Sequence, residues 1–152
     1  MKIIEYVGDQ EDQLLERIIR TSFDADSAFH LGAGKRDGPP GYDNGELLKR
    51  VKQEPKVSLY LLQEEIIIGL IVANYSENQI LYFCLAPEYM GQGYGTIAWQ
   101  LFEKFLPNTW QLETPSYSLR NHHFYEKNGF KKIGEKWYSK DKSYIYQKIF
   151  SN

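Results

Sequence analysis

Three apolar runs crowd between Val57 and Ala86, and the chain between them is too short for anything but sharp turns. Val57 to Gln63 and Ile66 to Tyr75 are joined at Glu64-Glu65, and Ser76-Glu77-Asn78 turns the chain into Gln79 to Ala86. A parallel crossover needs a dozen or more residues, so these connections demand antiparallel neighbours. Upstream, Lys2 to Val7 reads as a strand. A helix capped by Asp9 follows, with Leu14, Leu15, Ile18, Ile19 and Phe23 at helical spacing. The pattern is lost from Asp24 to Gly45, a glycine- and proline-rich stretch of the kind that is usually functional or disordered. Glu46 to Glu54 is a second helix, stopped by Pro55. Downstream come a helix from Thr96 to Phe105, a short strand Trp110 to Thr114, and a helix from about Leu119 to Lys127 closed by Asn128-Gly129. Strands Phe130 to Tyr138 and Ser143 to Phe150 turn about Lys140-Asp141-Lys142. The predicted order is β-α-α-β-β-β-α-β-α-β-β, an α/β chain with a mixed, mostly antiparallel sheet flanked by helices. Its 152 residues fit one domain over 1–152.

Between the third close-packed strand and the next helix lies Pro87-Glu88-Tyr89-Met90-Gly91-Gln92-Gly93-Tyr94-Gly95. Alternate glycines let a ligand approach the backbone and permit positive φ. The following helix presents free N–H groups and its positive dipole end, so the segment predicts an anion site, most often for phosphate. A P-loop is excluded, because Gly34-Lys35 is followed by Arg36 where a hydroxyl belongs and Phe29 stands in place of the first glycine. Gly93-x-Gly95-x-x-Ala98, with Glu113 at the end of the next strand, matches a dinucleotide fingerprint. That reading would make a small NAD-dependent oxidoreductase. Against it, Pro87 to Met90 separate strand from glycines, and the preceding meander is antiparallel.

Charge bounds the partners. Eighteen basic and 20 acidic residues give a net −2 without a nucleic-acid footprint, although Lys127, Lys131, Lys132, Lys136, Lys140 and Lys142 make the last third locally basic. No apolar run approaches the ~20 residues of a membrane span, and the N-terminus lacks a signal-peptide pattern, so a cytoplasmic protein is expected. One cysteine, Cys84, excludes an internal disulfide, and no spacing supports a metal site; His122 and His123 read as helix surface.

Pro87 to Gly95 resembles the acetyl-CoA pyrophosphate loop of the GNAT superfamily of N-acetyltransferases. Phe124-Tyr125-Glu126-Lys127-Asn128-Gly129-Phe130 is similar to that family's second signature. Met90 departs from the usual Gln or Arg, Ser118 from the frequent Asn, and Asn121 from the frequent Ala. The resemblance implies acetyl transfer from acetyl-CoA to a primary amine of a small molecule or peptide by direct attack in a ternary complex. It implies a cleft between splayed strands, where backbone groups of Cys84, Leu85 and Ala86 pair with the pantetheine. Met90, Gly91, Gln92, Gly93, Tyr94, Gly95 and Thr96 would hold the pyrophosphate, with Asn121 and Phe124 beside the arm. For Asn121, a buried amide that satisfies the sheet is the alternative.

Tyr125 is the expected acid at the leaving thiolate, since a thiol and a phenol lie within about two pKa units. Cys84, inside an apolar strand, reads as a core thiol rather than a nucleophile. The general base is open: alignment on the glycines places Gln79 where some members carry Glu, leaving Glu113, with Glu77, Asp43 and His30 behind it. Tyr42 and Asp43, in the Phe29 to Gly45 loop, would wall the acceptor site and suit a cationic amine. The absent glutamate feeds a second reading, a non-catalytic acyl-CoA-binding sensor or partner module. Dimers are common among such relatives, and exposed aromatics would serve one.

Overall fold

The computed structural model describes residues 1–139 and 141–150; Lys140 of the predicted last turn lies outside the described residues. Seven strands form one sheet: β1 (Lys2–Glu5), β2 (Val57–Gln63), β3 (Ile67–Asn74), β4 (Gln79–Leu85), β5 (Thr109–Pro115), β6 (Lys131–Tyr138) and β7 (Asp141–Ile149). Their spatial order is β1-β2-β3-β4-β5-β7-β6. Every neighbouring pair is antiparallel except β4–β5, which is parallel. The predicted mixed, mostly antiparallel sheet is what forms. The meander β2-β3-β4 pairs as its short turns require.

Helices α1 (Asp12–Leu31) and α2 (Glu46–Gln53) cover one face; α3 (Tyr94–Phe102) and α4 (Leu119–Lys127) cover the other. On the first face Leu15, Ile18 and Ile19 of α1 and Leu47 and Leu48 of α2 pack on Leu59, Leu70, Val72 and Cys84. On the second, Trp99 and Phe102 of α3 pack on Ile68, Ile71, Ile80 and Trp110. Trp99 is fully buried among Phe83, Phe102, Phe130 and Phe150.

Three helix boundaries that differ from the sequence reading do so for local reasons. Helix α1 does not stop at Phe23 but runs two further turns to Leu31, with Ser27 Oγ donating to the Phe23 carbonyl and His30 pairing with Asp26 one turn back. Its start is not capped by Asp9. Glu11 holds the N-cap position and donates its N–H to the Tyr6 hydroxyl, which in turn donates to Asp12. Helix α3 opens two residues early, at Tyr94, because Gly93 takes the left-handed conformation (φ 89°) at the cap. The stretch from Gly32 to Gly45 is pinned rather than loose. Arg36 pairs with Asp24 (3.0 Å) and Asp43 (3.5 Å), Tyr42 donates to Asp24 (2.8 Å), and Tyr117 donates to Asp37 (2.9 Å).

Candidate functional site

β4 pairs with β5 only through its own first two residues, against the middle of β5. Gln79 pairs with Gln111 and Ile80 with Leu112, and there the ladder ends. Toward β3, a bulge inserts Leu81: Val72 faces Tyr82 while Ala73 faces Ile80. The bulge reverses the alternation of the strand. Beyond it, the Cys84 carbonyl faces Gly69 so closely that a Cβ on that glycine would collide with it. Ala86 N–H donates to Ile68 O at 2.8 Å. Because successive strand residues turn their N–H and C=O to opposite sides, Phe83 and Leu85 are the residues that direct theirs into the gap. Of the three expected pantetheine partners Leu85 faces the gap, beside Phe83; the expectation for Cys84 and Ala86 is corrected, since their backbone groups are turned to β3.

At the end of β4 the chain makes one tight turn, Pro87–Tyr89, and enters the glycine loop. Gly91 (φ 71°) and Gly93 (φ 89°) lie in left-handed backbone, and a Cβ built on either meets nothing within 4 Å. Their role is backbone curvature beside an open space. The first intrahelical bond of α3 is Ile97 N–H to Gly93 O (3.2 Å), so the N–H groups of Tyr94, Gly95 and Thr96 precede it. They sit at the positive end of the helix dipole.

Cradle and gap open on one cavity of about 390 Å³. It is lined by Met90, Gly91, Gly93, Gly95 and Thr96 of the loop, Phe83 and Leu85 of β4, and Arg120, Asn121, Phe124, Tyr125 and Lys127 of α4. Ser22, Phe23 and Asp26 of α1 close the far wall. Asn121 Nδ2 also donates to Thr114 Oγ1 at 3.4 Å. Tyr125 packs its ring against Phe124, Phe130 and Tyr146. Its phenol is pushed well above the ordinary range, first by burial and then by the neighbouring Cys84 and Asp26 groups. The hydroxyl therefore keeps its proton and is a donor.

Several residues singled out by sequence lie elsewhere. Gln92 folds back, donating from Nε2 to Glu88 O (2.6 Å), and the Tyr94 ring packs edge-on against Tyr89. Cys84 is buried, and burial pushes its thiol up to about 12. Glu113 does not reach the cavity: its carboxylate accepts from the Tyr138 hydroxyl and lies 3.7 Å from Lys136. Tyr42 and Asp43 are absorbed in the Asp24–Arg36 cluster described above and do not line the cavity. His122 is not helix surface but buried, donating from Nε2 to Pro115 O (2.9 Å) beside Tyr144.

Asp26 is the charge-bearing far-wall residue that sequence reasoning missed, along with Ser22, Phe23, Phe83, Arg120 and Lys127 of the lining. Ser118 Oγ donates to its Oδ2 at 2.6 Å, and His30 Nδ1 lies 3.1 Å from Oδ1. The signal was the four-residue spacing of Asp26 and His30, which places both on one helix face. It was hidden because the segment read as loop. Among the described residues no three metal-binding groups converge, and no helix is long and apolar enough to cross a membrane.

Comparisons with known proteins agree with this architecture. The model of the acetyltransferase (GNAT) family matches residues 17–130. An uncharacterized protein, YrkN of Bacillus subtilis (strain 168), is 33% identical over 101 residues, covering 62% of this chain and 54% of that relative. The match thus spans about half the length of that curated relative. Among solved structures, a GCN5-related N-acetyltransferase from Rhodopseudomonas palustris superposes with TM-score 0.77 at 12% identity, covering 98% of this chain and 95% of that one. An acetyltransferase from Thermus thermophilus gives 0.74 at 16% identity, covering 99% and 98%. The PaiA N-acetyltransferase of Thermoplasma acidophilum, solved in complex with coenzyme A, gives 0.69 at 19% identity, covering 99% and 100%. At such identities the likeness is one of fold, while the family match covers well over half of this chain. The chain belongs to the GNAT acetyltransferase family.

Proposed function

We propose that this chain transfers an acetyl group from acetyl-CoA to a primary amine of a small molecule or peptide, by direct attack within a ternary complex. One observation carries the reading: the backbone anion cradle, the edge of β4 left unpaired by β5 and the Tyr125 side chain all border the same cavity. The residues present fit acetyl-CoA. A pyrophosphate needs N–H donors and room, which the Gly91-to-Thr96 segment offers where no Cβ intrudes. A pantetheine arm needs strand-like partners, which Phe83 and Leu85 offer. Arg120 and Lys127 add positive charge to the cavity lining.

When bound, acetyl-CoA supplies an activated acyl group and a thiol leaving group. The chain's own part is to orient and to stabilise. Holding the reacting atoms in line removes much of the entropic cost of a two-body encounter. Tyr125 donates a hydrogen bond where negative charge develops on sulfur. Full proton transfer from so weakly acidic a phenol is uphill, so donation within the hydrogen bond is its role. Among the described residues no glutamate borders the cavity to take the amine proton: Gln79 is an amide and Glu113 is engaged elsewhere. An alkylamine of pKa near 10.4 is neutral for roughly one molecule in a thousand at pH 7.4, and that fraction is the competent one.

The absent glutamate also favours the second reading, a non-catalytic acyl-CoA-binding module. Thermal-shift comparison of acetyl-CoA, CoA and NAD tests the cradle; stabilisation by the first two alone is expected. Thiol release across polyamines, aminoglycosides, amino acids and peptides tests transfer. Binding without release from any of them would leave the module reading standing.

A further inference from the structure

The far wall of the cavity carries a carboxylate with no cationic partner of its own. Asp24 has Arg36 and Asp12 has Lys52. Among the described residues neither lysine nor arginine lies within 4.0 Å of the Asp26 oxygens; only the His30 ring does. We infer that Asp26 anchors a positive charge on the acceptor, and that the acceptor carries this charge on a group other than the nitrogen that is acetylated.

The side chain is 18% exposed and what it exposes borders the cavity. Its two oxygens are held in place by donors. Ser118 Oγ donates to Oδ2 at 2.6 Å. His30 Nε2 accepts the Arg120 N–H (3.3 Å), so the ring proton resides on Nδ1 and is donated to the Asp26 carbonyl (3.0 Å) and to Oδ1 (3.1 Å). That arrangement leaves lone pairs of a positioned, partly dehydrated carboxylate beside the cavity, where a cation gains more than it would in water. Ser118 and His30 are positioning residues. The backbone N–H on Nε2 also closes the route by which His30 would pass a proton outward.

The same chemistry argues against Asp26 as the base. A carboxylate and an alkylammonium differ by roughly six pKa units in water, so a proton does not move between them at useful cost. An ammonium held by Asp26 stays charged and does not attack. The nitrogen that reacts is a different one, toward Tyr125, which gives a substrate class: amines with a second cationic group, of which an α,ω-diamine is the simplest. The inference rests on the acetyl-transfer reading for the identity of the reacting end, but the ion pair itself does not.

The test uses chain-matched probes, 1,5-diaminopentane, 5-amino-1-pentanol and 1-aminopentane. Binding to the CoA-saturated protein is read by calorimetry and transfer by thiol release. The wild-type protein is expected to favour the diamine over the amino alcohol by about tenfold or more in both readouts, as one ion pair provides. Asp26→Asn keeps the shape and is expected to erase that preference while its acetyl-CoA affinity stays within about twofold. Ser118→Ala, which frees the carboxylate without removing it, is expected to raise KM for the diamine with kcat little changed. An unchanged diamine preference in Asp26→Asn, or none in the wild type, overturns the inference. Diamine binding that depends on Asp26 without any thiol release sinks the transfer reading and leaves the ion pair intact. Thiol release with no effect of Asp26→Asn does the reverse.

Discussion

The two walls of the cavity are made differently. The cradle wall is backbone: positive-φ glycines, the first N–H groups of α3, and the β4 edge beyond its bulge. The far wall is side chain: Asp26 on α1, fixed by Ser118 before α4 and by His30 one turn along. A backbone site offers the same donors whatever side chains surround it, so it suits the invariant half of a reaction. A side-chain site can be rewritten by one substitution, so it suits the half that chooses a substrate. One wall is donor-rich and positive, the other carries a carboxylate, and a ligand pair between them would meet opposite fields at its two ends.

The comparison is broken most severely from the cradle side. Gly93→Val puts a β-branched residue into left-handed backbone at the α3 cap, and is expected to weaken acetyl-CoA binding by about a hundredfold or more, read by calorimetry. The cost is backbone strain rather than a clash, as a Cβ there meets no atom within 4 Å. Next comes the donor between the walls. Tyr125→Phe is expected to lower kcat by about 10²-fold with little change in acetyl-CoA affinity. If kcat is untouched, the hydroxyl only packs.

The pH profile sharpens the same point. On the proposed transfer to an amine, the neutral form is the one that attacks, so kcat/KM should rise about tenfold per unit from pH 7 to 9. The Tyr125 pKa is raised, so its donor form persists across that window and no descending limb belongs to it there. A plateau near pH 7 would mean that a base has been missed. The smallest effects are expected in the cluster beside the far wall. Tyr42→Phe loses the hydrogen bond to Asp24 and should cost about 1 kcal/mol of stability. Asp43→Asn should leave the acceptor KM within about twofold. A larger change in KM would return the Tyr42–Asp43 loop to the acceptor wall.

The two walls also differ in how much of each could be read from sequence. The cradle is contiguous, so Pro87 to Thr96 declares its geometry by glycine spacing and by the helix that follows. Gly91 and Gly93 take the positive φ that such spacing predicts. The far wall joins residues 92 positions apart, Asp26 and Ser118. No local pattern links them, and short polar residues such as Asp24, Asp26 and Ser27 favour turns over helix until tertiary partners satisfy them. Those partners exist here, Arg36 and Tyr42 for Asp24, Ser118 for Asp26 and the Asp37 backbone for Ser27, and they carry α1 two turns further than its apolar repeat. The meander was legible because turn length forbids alternatives. The inserted Leu81 was not, because a bulge is a decision of the pair rather than of one strand. It is what turned Phe83 into a gap residue and Cys84 away from it.

The parallel junction of the sheet has a mechanical meaning. Two residue pairs join β1-β2-β3-β4 to β5-β7-β6, and the second group together with α4 is one unbroken stretch of chain. Such a stretch has the makings of a separately opening unit, with a local stability below that of the whole. A ligand lying along Phe83 and Leu85 would then act as a splice, standing in for the strand contacts that β5 does not make. At a hundredfold excess over its dissociation constant it would add about 2.7 kcal/mol to the joined state. Amide exchange of β5 and β7 should slow on binding more than that of β2 and β3, so the occupant of the cleft would complete the tertiary structure as well as the reaction.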